Sequence, residues 1–289
     1  MGRIAIVTGG ASGIGAALAR ALVIKGDTVV VADIDGGGAE RVAGELARPG
    51  PGTAAPAMVD VRDAAAVQAL VDRTCDAYGR LDLMVNNAGV GVAGDVQKLV
   101  LAHWDRVIDV NLRGVVHGVH AAYPVMIAQR SGHIVNTASL LGLMPAPGLT
   151  PYATTKHAIV GLSLSLRAEA AGYGVRVTAV CPGFVDTPLL DRGGPDDLPK
   201  TQAAQHGQEI GRQFLPRLYP ADALAGDIVR GIDRNAALVI APASARAAWF
   251  LRRYAPWVLN QQMARLVAKQ RSAFAADANA TAVPDRESA

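Results

Sequence analysis

Cysteine is nearly absent. Cys75 and Cys181 are the only two in 289 residues, they lie far apart, and they match no metal or redox spacing. A disulfide-stapled or zinc-clipped scaffold is thereby excluded, and two buried, reduced thiols in a cytoplasmic protein are expected. Aromatic residues are equally scarce, at 4% against 51% hydrophobic, so the core must be built from Ala, Val, Leu and Ile. That composition suits a parallel sheet covered by small-residue helices. No apolar run reaches the roughly eighteen residues that a membrane-crossing helix needs. The myristoylation pattern fails because Ile6, not Ser or Thr, stands at position 6. The first strand is expected almost at Met1, leaving no targeting segment before it. Charge of one sign is also missing from most of the chain. The net charge is +3, yet residues 243–289 hold seven basic and three acidic groups. A basic tail on a nearly neutral body argues against a general nucleic-acid surface. His117 and His120 share a helix spacing but have no third ligand nearby, so no metal site is expected.

What the chain does have is alternation. Short β-branched runs at 4–8, 28–33, 54–59, 81–86, 132–138, 175–181 and 236–240 read as buried strands. Helical patterns lie between them near 13–25, 37–47, 63–78, 104–130, 151–173 and 221–233. Such alternation predicts an α/β fold: a doubly wound, seven-stranded parallel sheet with helices on both faces. Residues 1–242 read as one domain, with a C-terminal helical extension over 243–289. The least regular stretch, 188–220, follows a predicted strand end, where ligand crevices of such sheets open. It is read as a lid or binding element, with a plain insertion as the bland alternative.

Gly9, Gly13 and Gly15 join the first strand to a helix opening at Ser12, Gly13 and Ile14. Glycines permit a tight turn and close backbone approach, and exposed N–H groups at a helix start can hold a pyrophosphate. Asp33 ends the second strand, eighteen residues beyond Gly15. A carboxylate there can accept from ribose hydroxyls, and it repels a 2′-phosphate. Neither the turn (Ala11, Ser12) nor the positions after Asp33 (Ile34, Asp35) offer a compensating base. NAD is therefore expected over NADP on a Rossmann-like sheet. Asp60 and Val61 follow the third strand and could meet the adenine edge; helix capping by Asp60 or Asp63 is the alternative. Asn87, Ala88 and Gly89 follow the fourth, where small side chains let a cofactor lie against the backbone.

Further motifs appear in order: Asn111, S-x-x-G at 139–142, Y-x-x-x-K at 152–156, and P-G-x-x-x-T spanning Pro182, Gly183 and Thr187. Together with the Gly-rich turn and N-N-A-G, the chain from residue 3 to about 241 resembles the short-chain dehydrogenase/reductase family of classical size. The resemblance implies a catalytic tetrad of Asn111, Ser139, Tyr152 and Lys156, with Asn111 holding a water that links Lys156 to solvent. It also implies contact of Val185 and Thr187 with the nicotinamide carboxamide, and a homodimer or homotetramer built on the helices at 104–130 and 151–173. Independently of that, Tyr152 and Lys156 are four apart and share a helix face. A neighbouring ammonium and a cationic nicotinamide ring are expected to lower the phenol from about 10, making it a usable acid or base. Ser139 can hydrogen-bond a substrate oxygen as charge develops.

Leu140, Leu141, Met144, Pro145, Leu149, Phe184, Leu189, Leu190, Val90 and Val92 flank these motifs, and none is charged. A neutral, apolar secondary alcohol or ketone is therefore expected, of steroid, lipid or terpenoid type. A non-catalytic dinucleotide-binding regulator is the rival reading; it predicts a broken tetrad, whereas all four positions are filled. In the tail, Trp249, Phe250, Tyr254 and Trp257 cluster around Pro256. Packing on the body or a partner subunit, a cover over the cleft, and contact with an anionic membrane surface all remain open.

Overall fold

The computed structural model describes residues 2–47, 51–191, 194–195, 197–199, 201, 218–258, 260–261 and 263–265. Much of the expected binding element at 188–220 lies outside them, as does the tail from 266 onward. Seven strands form one parallel sheet: β1 (Ile4–Thr8), β2 (Thr28–Asp33), β3 (Thr53–Met58), β4 (Leu83–Asn86), β5 (Gly132–Thr137), β6 (Val175–Pro182) and β7 (Leu238–Ala241). Their order is β3-β2-β1-β4-β5-β6-β7. Winding thus reverses between β1 and β4, which pair in register from Ala5 opposite Leu83 to Val7 opposite Val85. A crevice opens at the carboxyl ends of two strands whose connections leave in opposite directions. The turns at 9–15 and 87–89 both emerge there.

Helices cover both faces. On one side α1 (Gly13–Ile24), α2 (Gly36–Leu46) and α8 (Ala221–Asp233) bury Leu18, Leu22, Val42, Leu224 and Ile228 against Val7, Val29 and Val31. On the other, α3 (Ala64–Tyr78) and α5 (Gly114–Gln129) bury Val67, Leu70, Ala122 and Met126 against Ile6, Met84 and Ile134. Small and branched aliphatics make both layers, as the scarcity of aromatics requires.

One expected helix differs in detail. The helix expected over 104–130 is three pieces: α4 (Leu101–Val107), a π-type turn (Ile108–Arg113) and α5. Asn111 causes the interruption's importance: its buried amide bonds the Val90 backbone and locks the turn to the loop after β4. The longest helix among the described residues, α6 (Thr150–Ala170), carries Tyr152 and is started by Pro151, whose missing N–H costs nothing in a first turn. A short α7 (Pro188–Asp191) follows β6, and α9 (Ala243–Tyr254) follows β7. The chain divides into two compact units, Met1–Arg246 and Ala247–Ala289. Among the described residues no helix is long and apolar enough to cross a membrane.

Candidate active site

The cofactor end is built by the turn between β1 and α1. Gly9 and Gly13 have φ of 65° and 52°, a region that side chains disfavour. A Cβ on Gly15 would lie 2.1 Å from the Gly9 carbonyl oxygen, so only glycine lets α1 start this close to the strand. Ser12 precedes α1 in extended backbone without a capping hydrogen bond, and no carboxylate occupies the first turn. The helix start is left to an outside anion, and the geometry fits a dinucleotide pyrophosphate. Thr187 packs its side chain over this turn, 3.2 Å from where a Gly13 Cβ would stand, so the end of β6 meets the start of α1. Val185 is buried and bridges to Tyr219. Gly183 closes onto the Ala241 carbonyl through its N–H, at 2.8 Å.

Asp33 accepts from the Ala11 N–H at 2.9 Å and the Asp35 N–H at 3.0 Å, which ties the carboxylate to the Gly-rich turn. A neighbour invisible in local sequence joins it there: Arg41, one turn along α2, donates to the Ala11 carbonyl at 3.2 Å. The absence of a basic side chain at adjacent positions therefore does not leave the turn without one. Thr8 was also missed. Its hydroxyl accepts from the Asn87 and Ala88 N–H groups and donates to the Val85 carbonyl. The Asn87 amide in turn donates to the Thr8 and Gly9 carbonyls, so this side chain clasps the turn and leaves its main chain beside Ala88 and Gly89 facing the crevice.

Asp60 does not cap α3. That role belongs to Asp63, which accepts from the Ala65 and Ala66 N–H groups. Asp60 is gripped by Arg62 through paired contacts down to 2.6 Å, and that hydrogen-bonded partner holds its carboxyl below the usual range. The Val61 carbonyl engages the His117 ring at 2.9 Å, which commits that histidine to structure.

At the chemical end the carboxyl terminus of β5 meets the first turns of α6. Ser139 is buried in extended backbone, and its hydroxyl oxygen accepts from the Leu141 N–H while the hydroxyl donates to Tyr152. Gly142 ends this short turn against the Lys156 carbonyl; a Cβ there would come within 2.5 Å. Lys156 reaches back under Tyr152, donates to the Thr137 carbonyl at 2.8 Å and lies 5.4 Å from the Tyr152 ring centre. Asn111 completes the group through Thr155, 3.4 Å away, and through Gly89, where a Cβ would stand 3.3 Å from its amide oxygen. Asn111 and Lys156 thus border Gly89, with Tyr152 over Lys156 and Ser139 bonded to Tyr152.

Their electrostatics differ from expectation. Burial pushes the Tyr152 phenol up to about 12, offset only in part by a hydrogen bond from Ser139. The ammonium expected to lower it is itself pushed down to about 8 by burial. In the protein alone, enclosure outweighs the pairing of the two groups. Cys181 is buried alongside, and desolvation pushes its thiol up to about 12, so it stays neutral. On the substrate side, Met144, Val92 and Val185 belong to the core, whereas Leu189 on α7 is partly exposed and faces Gly91.

The family model for short chain dehydrogenases matches residues 3–197. The 3-oxoacyl-(acyl-carrier-protein) reductase FabG of Thermotoga maritima is 37% identical over 191 residues, covering 66% of this chain and 77% of that protein. The probable oxidoreductase EphD of Mycobacterium tuberculosis is 36% identical over 258 residues; 88% of this chain is covered, but only 43% of EphD. Among solved structures, a short-chain dehydrogenase/reductase from Burkholderia phymatum in complex with NAD superposes with a TM-score of 0.81 at 31% identity, covering 89% of this chain and 95% of that one. Sequence and fold agree, and the chain belongs to the short-chain dehydrogenase/reductase family of oxidoreductases.

Proposed function

We propose that this protein interconverts a secondary alcohol and a ketone with NAD, using Tyr152 as the general acid and base. The convergence of Tyr152, Ser139 and Lys156 at the end of β5, with Lys156 and Asn111 bordering Gly89 in the crevice, carries this reading. The chemistry that a nicotinamide dinucleotide supplies when bound is hydride transfer at the substrate carbon. Gly9, Gly13, Ile14 and Gly15 would hold its pyrophosphate, Asp33 its ribose, and Val185 and Thr187 its carboxamide. Ser139 donates to the substrate oxygen and fixes it near the phenol. Tyr152 delivers a proton to that oxygen during ketone reduction and takes it back during oxidation. Lys156 holds positive charge under the phenol, which favours the anion left when the proton departs. Asn111 positions α6 against the loop after β4.

A carboxylate at Asp33, fixed by two N–H groups, supports NAD over NADP. Uncharged side chains around the crevice support a neutral, apolar substrate. Exposed Val116 on α5 and Leu164 on α6 support a homodimer or homotetramer through those helices. A panel of apolar secondary alcohols assayed with NAD and with NADP tests the reading. Reduction of NAD by such an alcohol, abolished in Tyr152→Phe, is the expected result. Turnover confined to charged acids or small sugars, or undiminished in that variant, would overturn it.

A further inference from the structure

The helical segment around Pro256 displays an aromatic stripe to solvent. Phe250, Tyr254 and Trp257 follow i, i+4, i+7 spacing and are 49%, 69% and 62% exposed. Phe250 and Tyr254 share one face of α9, and Trp257 follows in the next turn, beyond the break at Ala255. The Phe250 and Tyr254 rings stack 9° from parallel with centres 6.2 Å apart, and Trp249 lies 5.1 Å from Phe250. Helix continues on both sides of Ala255, since Ala255 donates to the Leu251 carbonyl and Val258 to that of Ala255. Around this stripe the charge is all of one sign: Arg246, Arg252, Arg253 and Arg265, with no acidic residue between 243 and 265.

Clustered exposed aromatics of this kind mark interaction surfaces. We infer that this one is the docking surface for an anionic lipid bilayer, entered by Phe250, Tyr254 and Trp257 to headgroup depth and held by Arg252, Arg253 and Arg265. Tyr and Trp rings favour that depth because one edge is apolar and the other wet. Arginine beside them pairs with lipid phosphate. A second copy is a poorer occupant, because a two-fold interface sets each patch against itself and brings the arginines together. Contact is peripheral, as the described helices are too short or too polar to cross.

Flotation of the full chain with phosphatidylcholine vesicles, with and without phosphatidylglycerol, tests this. Binding is expected only where phosphatidylglycerol is present, and it should weaken with salt. The R252Q/R253Q/R265Q variant should lose partitioning on the order of a hundredfold, at about fivefold per arginine. F250S/Y254S/W257S should lose it as well, with an unchanged melting temperature. Should that variant fail to fold, wild-type tryptophan emission must shift to the blue on anionic vesicles and shift less in Trp257→Phe. Equal binding to neutral vesicles, binding unchanged in the arginine variant, or no emission shift overturns the inference. So does a stripe variant that merely breaks an oligomer without any vesicle binding in the parent.

Discussion

Asp33 and Arg41 act on the same residue through its two flanking peptides, the carboxylate taking the Ala11 N–H and the guanidinium its carbonyl. Either side chain is near enough to the adenosine end to matter, but with opposite preference for a 2′-phosphate. The carboxylate is half-buried, whereas Arg41 is 59% exposed and shared with Glu45, so the anion dominates. Asp33→Asn is therefore expected to move the NADP-to-NAD ratio of kcat/KM toward NADP by about ten- to a hundredfold, the worth of one removed charge in a partly dry cleft. Adding Arg41→Met should take most of that gain back. An unchanged ratio in Asp33→Asn would remove this carboxylate from cofactor choice. At the other end of the crevice, Tyr152→Phe should cost about a hundred- to ten-thousandfold in kcat while NAD binding persists. Lys156 is charged only below its depressed value of about 8, whereas the phenol keeps its proton well beyond that. Ketone reduction should consequently decline above about pH 8 as the supporting charge is lost, with the apparent value belonging to the pair. A flat profile through that range would show that the lysine's charge plays no part.

Elements, rather than side chains alone, set the distances in this site. The turn at Leu140–Gly142 rests directly on the α6 backbone, with room for hydrogen only at Gly142. Gly142→Ala should push the turn and Ser139 away from Tyr152, costing about 1–3 kcal/mol of stability and lowering kcat more than it raises KM. Denaturant midpoints and steady-state constants would check both; full activity would mean that α6 shifts together with the turn. Most strands and helices were legible in the sequence because β-branched runs buried on both faces leave little choice of element. The expected and observed bounds of β1 and β2 coincide for this reason, whereas β3, expected as buried, is an edge strand with Met58 75% exposed. The interruption at Ile108–Arg113 was not legible, since no glycine or proline marks it. Its origin is tertiary: the Asn111 amide bonds a backbone twenty-one residues away. Arg41 and Thr8 stayed hidden for the same reason, because their partners are close in space and remote in sequence.

Across the whole molecule, seven parallel strands could be counted in advance, but their order could not, and the order is what brings the turns at 9–15 and 87–89 together. One buried group links that sheet to solution pH. His133 on β5 donates from Nε2 to the Thr178 hydroxyl on β6 at 2.8 Å, and that hydroxyl donates onward to the Ala236 carbonyl before β7. The relay therefore requires a proton on Nε2, and burial keeps the other nitrogen bare. Desolvation, reinforced by Arg176, Arg167 and Arg3, pushes its pKa down to about 3 from 6.5. Between those values the unfolded chain binds a proton that the folded chain refuses. Stability from this group is complete above pH 6.5 and drains as pH falls, by about 1.4 kcal/mol per unit until the folded histidine titrates. His133→Gln can keep the donor to Thr178 but cannot titrate. Denaturant unfolding measured from neutral to mildly acidic pH should show a slope shallower by about one proton in this variant, whatever its stability at neutrality. Carboxylates elsewhere contribute equally to both proteins and cancel in the comparison. Parallel slopes would mean that the imidazole takes up its proton as readily inside the sheet as in the unfolded chain, against the cost of charging a buried ring beside Arg176, Arg167 and Arg3.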